Sequence, residues 1–157
     1  MKQLNNFINE KLKINSKSKI NQNTYSYYPK DKYELQNLLR ALITKRGNDA
    51  NLNDIDTSQI TDMSGLFLNS KFNGDISEWD VSKVKMMLMM FRNSKFTGEN
   101  GDISKWDVKN VKNMSFMFTK TKFNNDISGW DVNNVETMSG MFRNSPLEKN
   151  PPKWYKK

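Results

Sequence analysis

Apolar residues recur along most of this chain at fixed intervals. Two apolar slots advance by steps of 24, 27 and 24 residues, and their members are Met63, Met87, Met114, Met138, Phe67, Phe91, Phe118 and Phe142. The long middle step comes from three extra residues in "FTGENGDIS" compared with "FNGDIS". One such unit cannot bury its large apolar side chains alone, so the spacing predicts units that stack on their neighbours.

Within a unit, the apolar positions predict two kinds of local structure. Trp79 and Val81 flank Asp80, an alternation that predicts a short strand with Asp80 pointing outward. From Val84 to Phe91 an apolar residue recurs every three or four positions, which predicts a short helical turn. We therefore expect an α/β repeat solenoid, leucine-rich-repeat-like, with short parallel strands on one face and short helical turns on the other.

A helical pattern precedes the repeats. Its apolar stripe consists of Leu35, Leu38, Leu39, Leu42 and Ile43. Asp31 is a suitable N-cap and Gly47 a suitable C-cap, while Lys45 and Arg46 suit the last turn. The pattern predicts a helix at about residues 31–46 that covers the open apolar end of the first unit.

These patterns predict three segments. Residues 1–24 form a basic, partly disordered arm, and residues 25–50 form the N-terminal capping helix. Residues 51–157 form a repeat solenoid of four units plus a truncated C-terminal cap. Pro151 and Pro152 lie in that cap, where their missing N–H groups would stop strand pairing.

The repeat motif resembles that of a known family. The pattern F-N-x-D-I-S-x-W-D-V-S-x-V-x-x-M-x-x-M-F, the start "YYPKDKYELQNLL" and the end "PPKWY" are similar to BspA-like leucine-rich repeat proteins. These are bacterial solenoids often described as surface proteins. The resemblance covers about residues 51–157 and implies a right-handed solenoid that binds other macromolecules without catalysis.

The amino-acid composition limits the kinds of catalytic and metal-binding site that the chain could contain. The chain contains no Cys and no His, which excludes disulfides, Cys/His zinc sites, Cys nucleophiles and the usual general base. We therefore expect no catalytic residues, no metal site, no cofactor and no enzymatic activity.

Charge is concentrated at the N-terminus. Of a net charge of +8, residues 1–50 carry 10 Lys and Arg against 4 Asp and Glu. Such a basic arm could contact nucleic acid, an anionic membrane or an acidic protein, or it could simply keep the chain soluble. The chain shows no secretory leader and no apolar stretch that would span a bilayer, so we expect a cytoplasmic protein, surface-exposed if a leader was removed.

Two further ladders follow from the repeat. The tryptophan ladder is Trp79, Trp106, Trp130 and Trp154, and the aspartate ladder is Asp80, Asp107 and Asp131. Aspartates stacked about 4.8 Å apart repel one another. Either backbone N–H groups of the following turn hold each carboxylate, which we favour, or the column binds a cation or a basic partner.

One region departs from the repeat. Positions that other units fill with small or polar residues hold a cluster of large apolar side chains, which we call the apolar patch: Met86, Leu88, Met89 and Phe116. Three cations flank it, at Lys85, Arg92 and Lys112. Exposed apolar side chains surrounded by cations are typical of a protein-binding site, so we expect these seven residues to bind a macromolecular partner through a convex apolar and basic face.

Other interpretations of the same residues remain open. Residues 1–24 could cover the apolar patch with Leu4, Phe7 and Ile8, or the patch could mediate self-association. The basic arm could make the protein nucleic-acid-associated. A compact basic interaction protein could also be a mobile-element-encoded inhibitor of a host defence nuclease.

Overall fold

The structure, a computed structural model, describes residues 25–156. The arm predicted at residues 1–24, including the residues Leu4, Phe7 and Ile8 that could cover the apolar patch, lies outside this range. The described residues contain one α-helix, α1 (Lys32–Arg46), and one 3₁₀ helix (Pro146–Glu148). Their β-structure consists of isolated parallel bridges only. Neither helix within residues 25–156 has the length and apolar character needed to cross a membrane.

Helix α1 has the caps that its sequence predicts. The Asp31 carboxylate accepts a hydrogen bond from the Glu34 N–H at 2.9 Å, which satisfies one free donor of the first turn. The helix ends at Gly47, whose φ of 94° is accessible to glycine and whose N–H donates to the Ile43 carbonyl at 2.9 Å.

Helix α1 packs its apolar side onto the first repeat. Its buried residues are Leu35, Leu38, Leu39, Ala41 and Leu42. Two ion pairs hold the ends of the helix: Lys32 Nζ lies 3.3 Å from a carboxylate oxygen of Asp62, and the Arg46 guanidinium donates two hydrogen bonds to Asp54, at 2.8 and 2.9 Å. The helix therefore covers the apolar end of the first unit.

The repeats are joined through four segments that we call rows 1 to 4, residues 62–69, 86–93, 113–120 and 137–144. Alternate N–H groups of one row donate to carbonyl groups of the next row. The first such bond of each pair joins Met63 to Met86, Met87 to Asn113 and Met114 to Thr137, at 2.8, 2.9 and 2.9 Å. The isolated bridges Asp62–Met86, Met86–Asn113 and Asn113–Thr137 mark the same contacts.

Two columns of phenylalanine rings run through the core. Phe67, Phe91, Phe118 and Phe142 stack at centroid distances of 5.4, 5.5 and 6.0 Å, with interplanar angles of 1°, 4° and 6°. Beside them, Phe72, Phe96 and Phe123 stack at 6.5 and 6.0 Å. All seven side chains are buried. The steps of 24 and 27 residues thus correspond to ring-on-ring contact.

The expected leucine-rich-repeat-like α/β solenoid is wrong, because the described repeats contain neither its strands nor its helical turns. The segment predicted as a strand turns twice. The Trp79 N–H donates to the Ile76 carbonyl at 3.2 Å, and the Val84 N–H donates to the Val81 carbonyl at 2.9 Å. Bonds between residues three apart bend the chain, so Trp79 and Val81 do not lie on a regular strand.

The segment predicted as a helical turn is also irregular. Row 2 contains two residues with left-handed backbone, Met89 (φ 56°) and Asn93 (φ 55°), and a right-handed helix cannot pass through such residues. The other rows have left-handed residues at the same two slots. Each row is consequently a run of turns that pairs with the adjacent row.

Candidate functional site

The structure brings the apolar patch and its flanking cations together on rows 2 and 3 and on the residue that precedes each of these rows. Met86, Leu88 and Met89 are half-buried in row 2, and Phe116 is half-buried in row 3. Row 3 lies beside row 2 at this point, because the Met89 N–H donates to the carbonyl of Ser115 at 3.0 Å. The apolar patch is therefore continuous across two rows and partly open to solvent.

At the first position of the apolar patch, row 2 lacks a hydrogen bond that its neighbours make. In row 1 the Asp62 carboxylate accepts from the Ser64 N–H at 2.7 Å, and in row 3 the Asn113 side-chain oxygen accepts from the Ser115 N–H at 2.8 Å. Met86 occupies the same slot and has no oxygen with which to accept. A hydrogen bond of this kind contributes about 0.5–1.5 kcal/mol, which row 2 forgoes.

Two other patch residues adopt a backbone conformation that favours glycine. The four residues of this slot are Gly65, Met89, Phe116 and Gly140, with φ of 65°, 56°, 57° and 62°. Left-handed backbone costs an L-residue about 1–2 kcal/mol because its Cβ crowds the following carbonyl. A large apolar side chain at this slot is locally unfavourable, and the apolar patch contains two.

The sequence carries a signal for this conformation. Glycine fills the slot in rows 1 and 4, and asparagine, which tolerates left-handed backbone, fills the slot four residues later in three of the rows: Asn69, Asn93 and Asn144. Alternation of Gly with Met and Phe at one slot could therefore have identified Met89 and Phe116 as strained positions.

Arg92 lies over the apolar patch. Its guanidinium carbon is 5.7 Å from the centroid of the Phe116 ring, and its Nη1 is 3.6 Å from the Met89 sulfur. A guanidinium over an aromatic face is a cation–π contact. On the other side the Phe116 ring packs on Gly140, where an added Cβ would lie 2.7 Å from the ring. Arg92 and Gly140 together hold the ring in place.

The rim of the apolar patch is positive. Lys85 and Lys112 are exposed and lie side by side, because the Lys112 N–H donates to the Lys85 carbonyl at 2.8 Å. The Lys112 ammonium lies 3.3 Å from the Glu136 carboxylate. Within residues 25–156, Lys85 and Arg92 form no ion pair. Among the described residues, no carboxylate therefore offsets the positive charges of Lys85 and Arg92.

The carboxylates of the aspartate ladder bind turns of their own segments. Asp80 accepts from the Ser82 N–H at 2.9 Å, and Asp131 accepts from the Asn133 N–H at 3.1 Å. Asp107 accepts from the Lys109 ammonium at 2.8 Å, and this bond lowers the pKa of the Asp107 carboxyl. No group of three or more His, Cys, Asp or Glu within residues 25–156 could hold a metal ion.

Each tryptophan of the ladder packs on the phenylalanine of the row that precedes it in the chain. The ring pairs are Phe67–Trp79, Phe91–Trp106, Phe118–Trp130 and Phe142–Trp154, at centroid distances of 5.9, 6.5, 6.3 and 6.2 Å. Three indoles donate to a carbonyl 27 residues earlier: Trp79 to Leu52, Trp130 to Ile103 and Trp154 to Ile127, at 3.0, 3.2 and 3.1 Å. The buried Trp106 indole N–H has no acceptor in the described part of the chain.

The three-residue insertion accounts for that unpaired indole. It lies between the second and third units, so the carbonyl equivalent to the acceptors of the other indoles, that of Ile76, is 30 residues before Trp106. The Trp106 N–H does not reach it.

Two grooves, which the sequence pattern does not predict, lie at the ends of the row stack. Between α1 and row 1, a groove of about 450 Å³ includes Leu39, Ile43 and Leu68, and Leu68 is 41% exposed. At row 4, a groove of about 250 Å³ is lined by Gly140, Phe142, Arg143, Glu148 and Tyr155. We call the second one the C-terminal groove.

Comparison with known proteins corrects the expected family. No curated protein and no solved structure matches the chain. The family model that matches is DUF285, described as "Mycoplasma protein of unknown function", and it covers residues 33–154. The expected membership of the BspA-like leucine-rich repeat family is therefore wrong. The matched range includes α1 from its second residue, all four rows and the apolar patch, and the chain belongs to the DUF285 family.

Proposed function

We propose that this protein is a non-enzymatic binding module that engages a partner protein through the apolar patch. The supporting observation is the placement of Met89 and Phe116, two large apolar residues in left-handed backbone at a slot where rows 1 and 4 have glycine. Both side chains are partly open to solvent, so burial within this chain does not account for their size.

The unfavourable choices are concentrated at one place. Row 2 forgoes the turn hydrogen bond at Met86, and rows 2 and 3 each hold a strained residue. Taken together these cost about 2.5–5.5 kcal/mol, a large fraction of the stability of an ordinary domain. Local strain that persists in this way is typical of functional sites, whereas selection for folding alone would favour the glycines of rows 1 and 4 and the hydrogen-bonding Asp or Asn of rows 1 and 3.

The chemistry of the site indicates the kind of partner. Methionine side chains adapt to the shape of an apolar surface, and a partner would bury them against its own aliphatic or aromatic groups. Lys85 and Arg92 would lie next to that contact and favour acidic residues at its edge. We therefore expect a partner protein that presents apolar side chains flanked by Asp or Glu.

The test compares three versions of the chain as bait. The double variant Met89→Gly/Phe116→Gly removes both side chains and places glycine where the backbone favours it. Leu68→Ser is the matched control, because Leu68 is an exposed apolar residue of row 1 outside the apolar patch. Partners captured from the native cell are identified by mass spectrometry, purified and measured by calorimetry.

We expect the wild-type chain and Leu68→Ser to bind a captured partner with equal affinity. The double variant should bind it at least about thirtyfold more weakly, as expected for the loss of a central hot-spot residue. Equal affinity of all three versions for every purified partner would reject the proposal. If the purified chain alone self-associates through these residues, the partner is a second copy of the chain.

A further inference from the structure

In rows 1 to 3, alternate backbone N–H groups donate to carbonyls of the following row. Row 4 has equivalent N–H groups, but no row follows it within residues 25–156. In row 3 the N–H groups of Phe116 and Phe118 donate to carbonyls of row 4, at 3.0 and 2.9 Å. The equivalent donors of row 4 are the N–H groups of Gly140 and Phe142, which have no acceptor within residues 25–156. Both residues line the C-terminal groove.

At the next donor of row 4, the N–H of Asn144, a side chain of the same protein replaces the carbonyl that a following row would supply. In row 3 the Lys120 N–H donates to the carbonyl of Arg143 at 2.9 Å. In row 4 the equivalent Asn144 N–H donates instead to the Glu148 carboxylate, at 2.9 Å. An oxygen supplied from outside the row pattern thus binds this edge at normal hydrogen-bond length. Within residues 25–156 no such oxygen reaches the N–H groups of Gly140 and Phe142. Gly140 is half-buried and Phe142 is 1% exposed, so a ligand reaches these two donors only by entering the C-terminal groove that both residues line.

The walls of the C-terminal groove suit a peptide. The rings of Phe142 and Tyr155 lie 4.9 Å apart, edge to face, and form an apolar side. Arg143 is exposed and forms no ion pair with any residue in the described range, so its charge is free for an acidic side chain. The volume of about 250 Å³ is enough for one or two side chains, not for a folded element.

We propose that the C-terminal groove binds an extended segment of a partner polypeptide. Carbonyl oxygens of alternate residues in that segment accept from the N–H groups of Gly140 and Phe142, as the carbonyls of row 4 accept from row 3. An Asp or Glu of the segment pairs with Arg143. This is recognition by addition of backbone to an open edge, in which main-chain bonds provide affinity and pockets provide specificity. The C-terminal groove borders the apolar patch at Gly140, on which the Phe116 ring packs, and its other lining residues lie outside the patch.

A partner segment fits this edge better than a second copy of the chain. A second copy would have to present row 1, whose outward carbonyls are the counterparts of the row 4 donors. Helix α1 covers that end: Lys32 pairs with Asp62 of row 1, and the residues of row 1 share a groove with Leu39 and Ile43. A full row of another copy would meet α1 before it reached those carbonyls.

The test uses two capped synthetic peptides and the full chain. The first has the sequence of residues 134–145, NVETMSGMFRNS, which is the row that binds row 3. The second differs only in carrying Glu at the position of Arg143, which places a carboxylate beside Arg143 of the protein. Affinities are measured by fluorescence anisotropy, and exchange of the Gly140 and Phe142 amide hydrogens is followed by NMR.

We expect the Glu peptide to bind about three- to fivefold more tightly than the Arg peptide, and Arg143→Ala to abolish that preference. Lys71→Ala, which removes an exposed cation near row 1, should retain it, as should Leu88→Ser in the apolar patch. Saturating peptide should slow exchange of both amides at least about tenfold. Unchanged exchange at both amides overturns the proposal. So does protection that rises with protein concentration alone, because a second copy then occupies the edge.

Discussion

Because Met89 has left-handed backbone, we predict that glycine at this position gives a more stable protein than alanine, the reverse of their usual order. Met89→Gly and Met89→Ala both remove the side chain beyond Cβ, so the burial that they lose is nearly the same. Alanine keeps the left-handed cost of about 1–2 kcal/mol. Glycine avoids it but loses more backbone entropy on folding, about 0.5–1 kcal/mol. We therefore expect Met89→Gly to be more stable than Met89→Ala by about 0.5–1 kcal/mol.

Leu88 supplies the matched control. It is also half-buried, precedes Met89 directly, and does not have positive φ. There the entropy cost acts alone, so Leu88→Ala should be more stable than Leu88→Gly by about 0.5–1 kcal/mol. The stability difference between the Gly and Ala variants at Met89, minus the same difference at Leu88, isolates the cost of left-handed backbone at Met89, because composition and local environment are closely matched.

Urea unfolding followed by tryptophan fluorescence measures both pairs, since the chain has four tryptophans and three of them are buried. The m-values should be equal, so that midpoints report free energies of unfolding. In thermal unfolding the same differences should appear as melting-temperature shifts of about 2–4 °C per kcal/mol for a chain of this length. If alanine is the more stable variant at both positions, Met89 is not strained, and strain no longer supports a binding role for the apolar patch.

Two further predictions concern hydrogen bonds made by side chains. Trp130→Phe removes the indole hydrogen bond to Ile103 and should cost about 0.5–1.5 kcal/mol more than Trp106→Phe, because the Trp106 indole N–H has no acceptor among residues 25–156; equal urea midpoints for the two variants would contradict this. The side-chain hydrogen bonds from Arg46 lower the pKa of Asp54 below its ordinary 3.8, so the stability from this pair is complete above that pKa and is lost as pH falls through the lower folded-state pKa. Asp54→Asn should therefore lower the urea midpoint by a constant amount from pH 7 to pH 5 and by progressively less below pH 4, and a loss that grew toward acid pH would show the opposite sign.

The periodic spacing predicted contacts better than it predicted backbone conformation. Residues 24 and 27 apart, such as Phe67, Phe91 and Phe118, do stack, because any regular stack brings equal slots together. The helix from Lys32 to Arg46 could be predicted from its caps and its apolar stripe, which are local. Both features depend on short-range patterns that one sequence displays.

The strands and helical turns could not be predicted in the same way. Spacing of three or four residues between Val84 and Phe91 is shared by a helix and by a run of turns, and the left-handed residue Met89 decides between them. The spacing also does not show that the insertion leaves the Trp106 indole N–H without an acceptor among the described residues, because this depends on where the Ile76 carbonyl lies. For the candidate site, departure from the repeat identified the apolar patch, but the Arg92 contacts required the structure.

The common direction of the row-to-row bonds gives the stack an electrical polarity. From Met63 onward, each row donates alternate N–H groups to the next row, so those peptide dipoles align along the stack as they do along an α-helix. The partial charge is positive at row 4, where Glu148 already neutralises one donor, and negative at row 1. Each added repeat would lengthen this aligned array without adding any helix, and anionic groups would remain favoured at the same end.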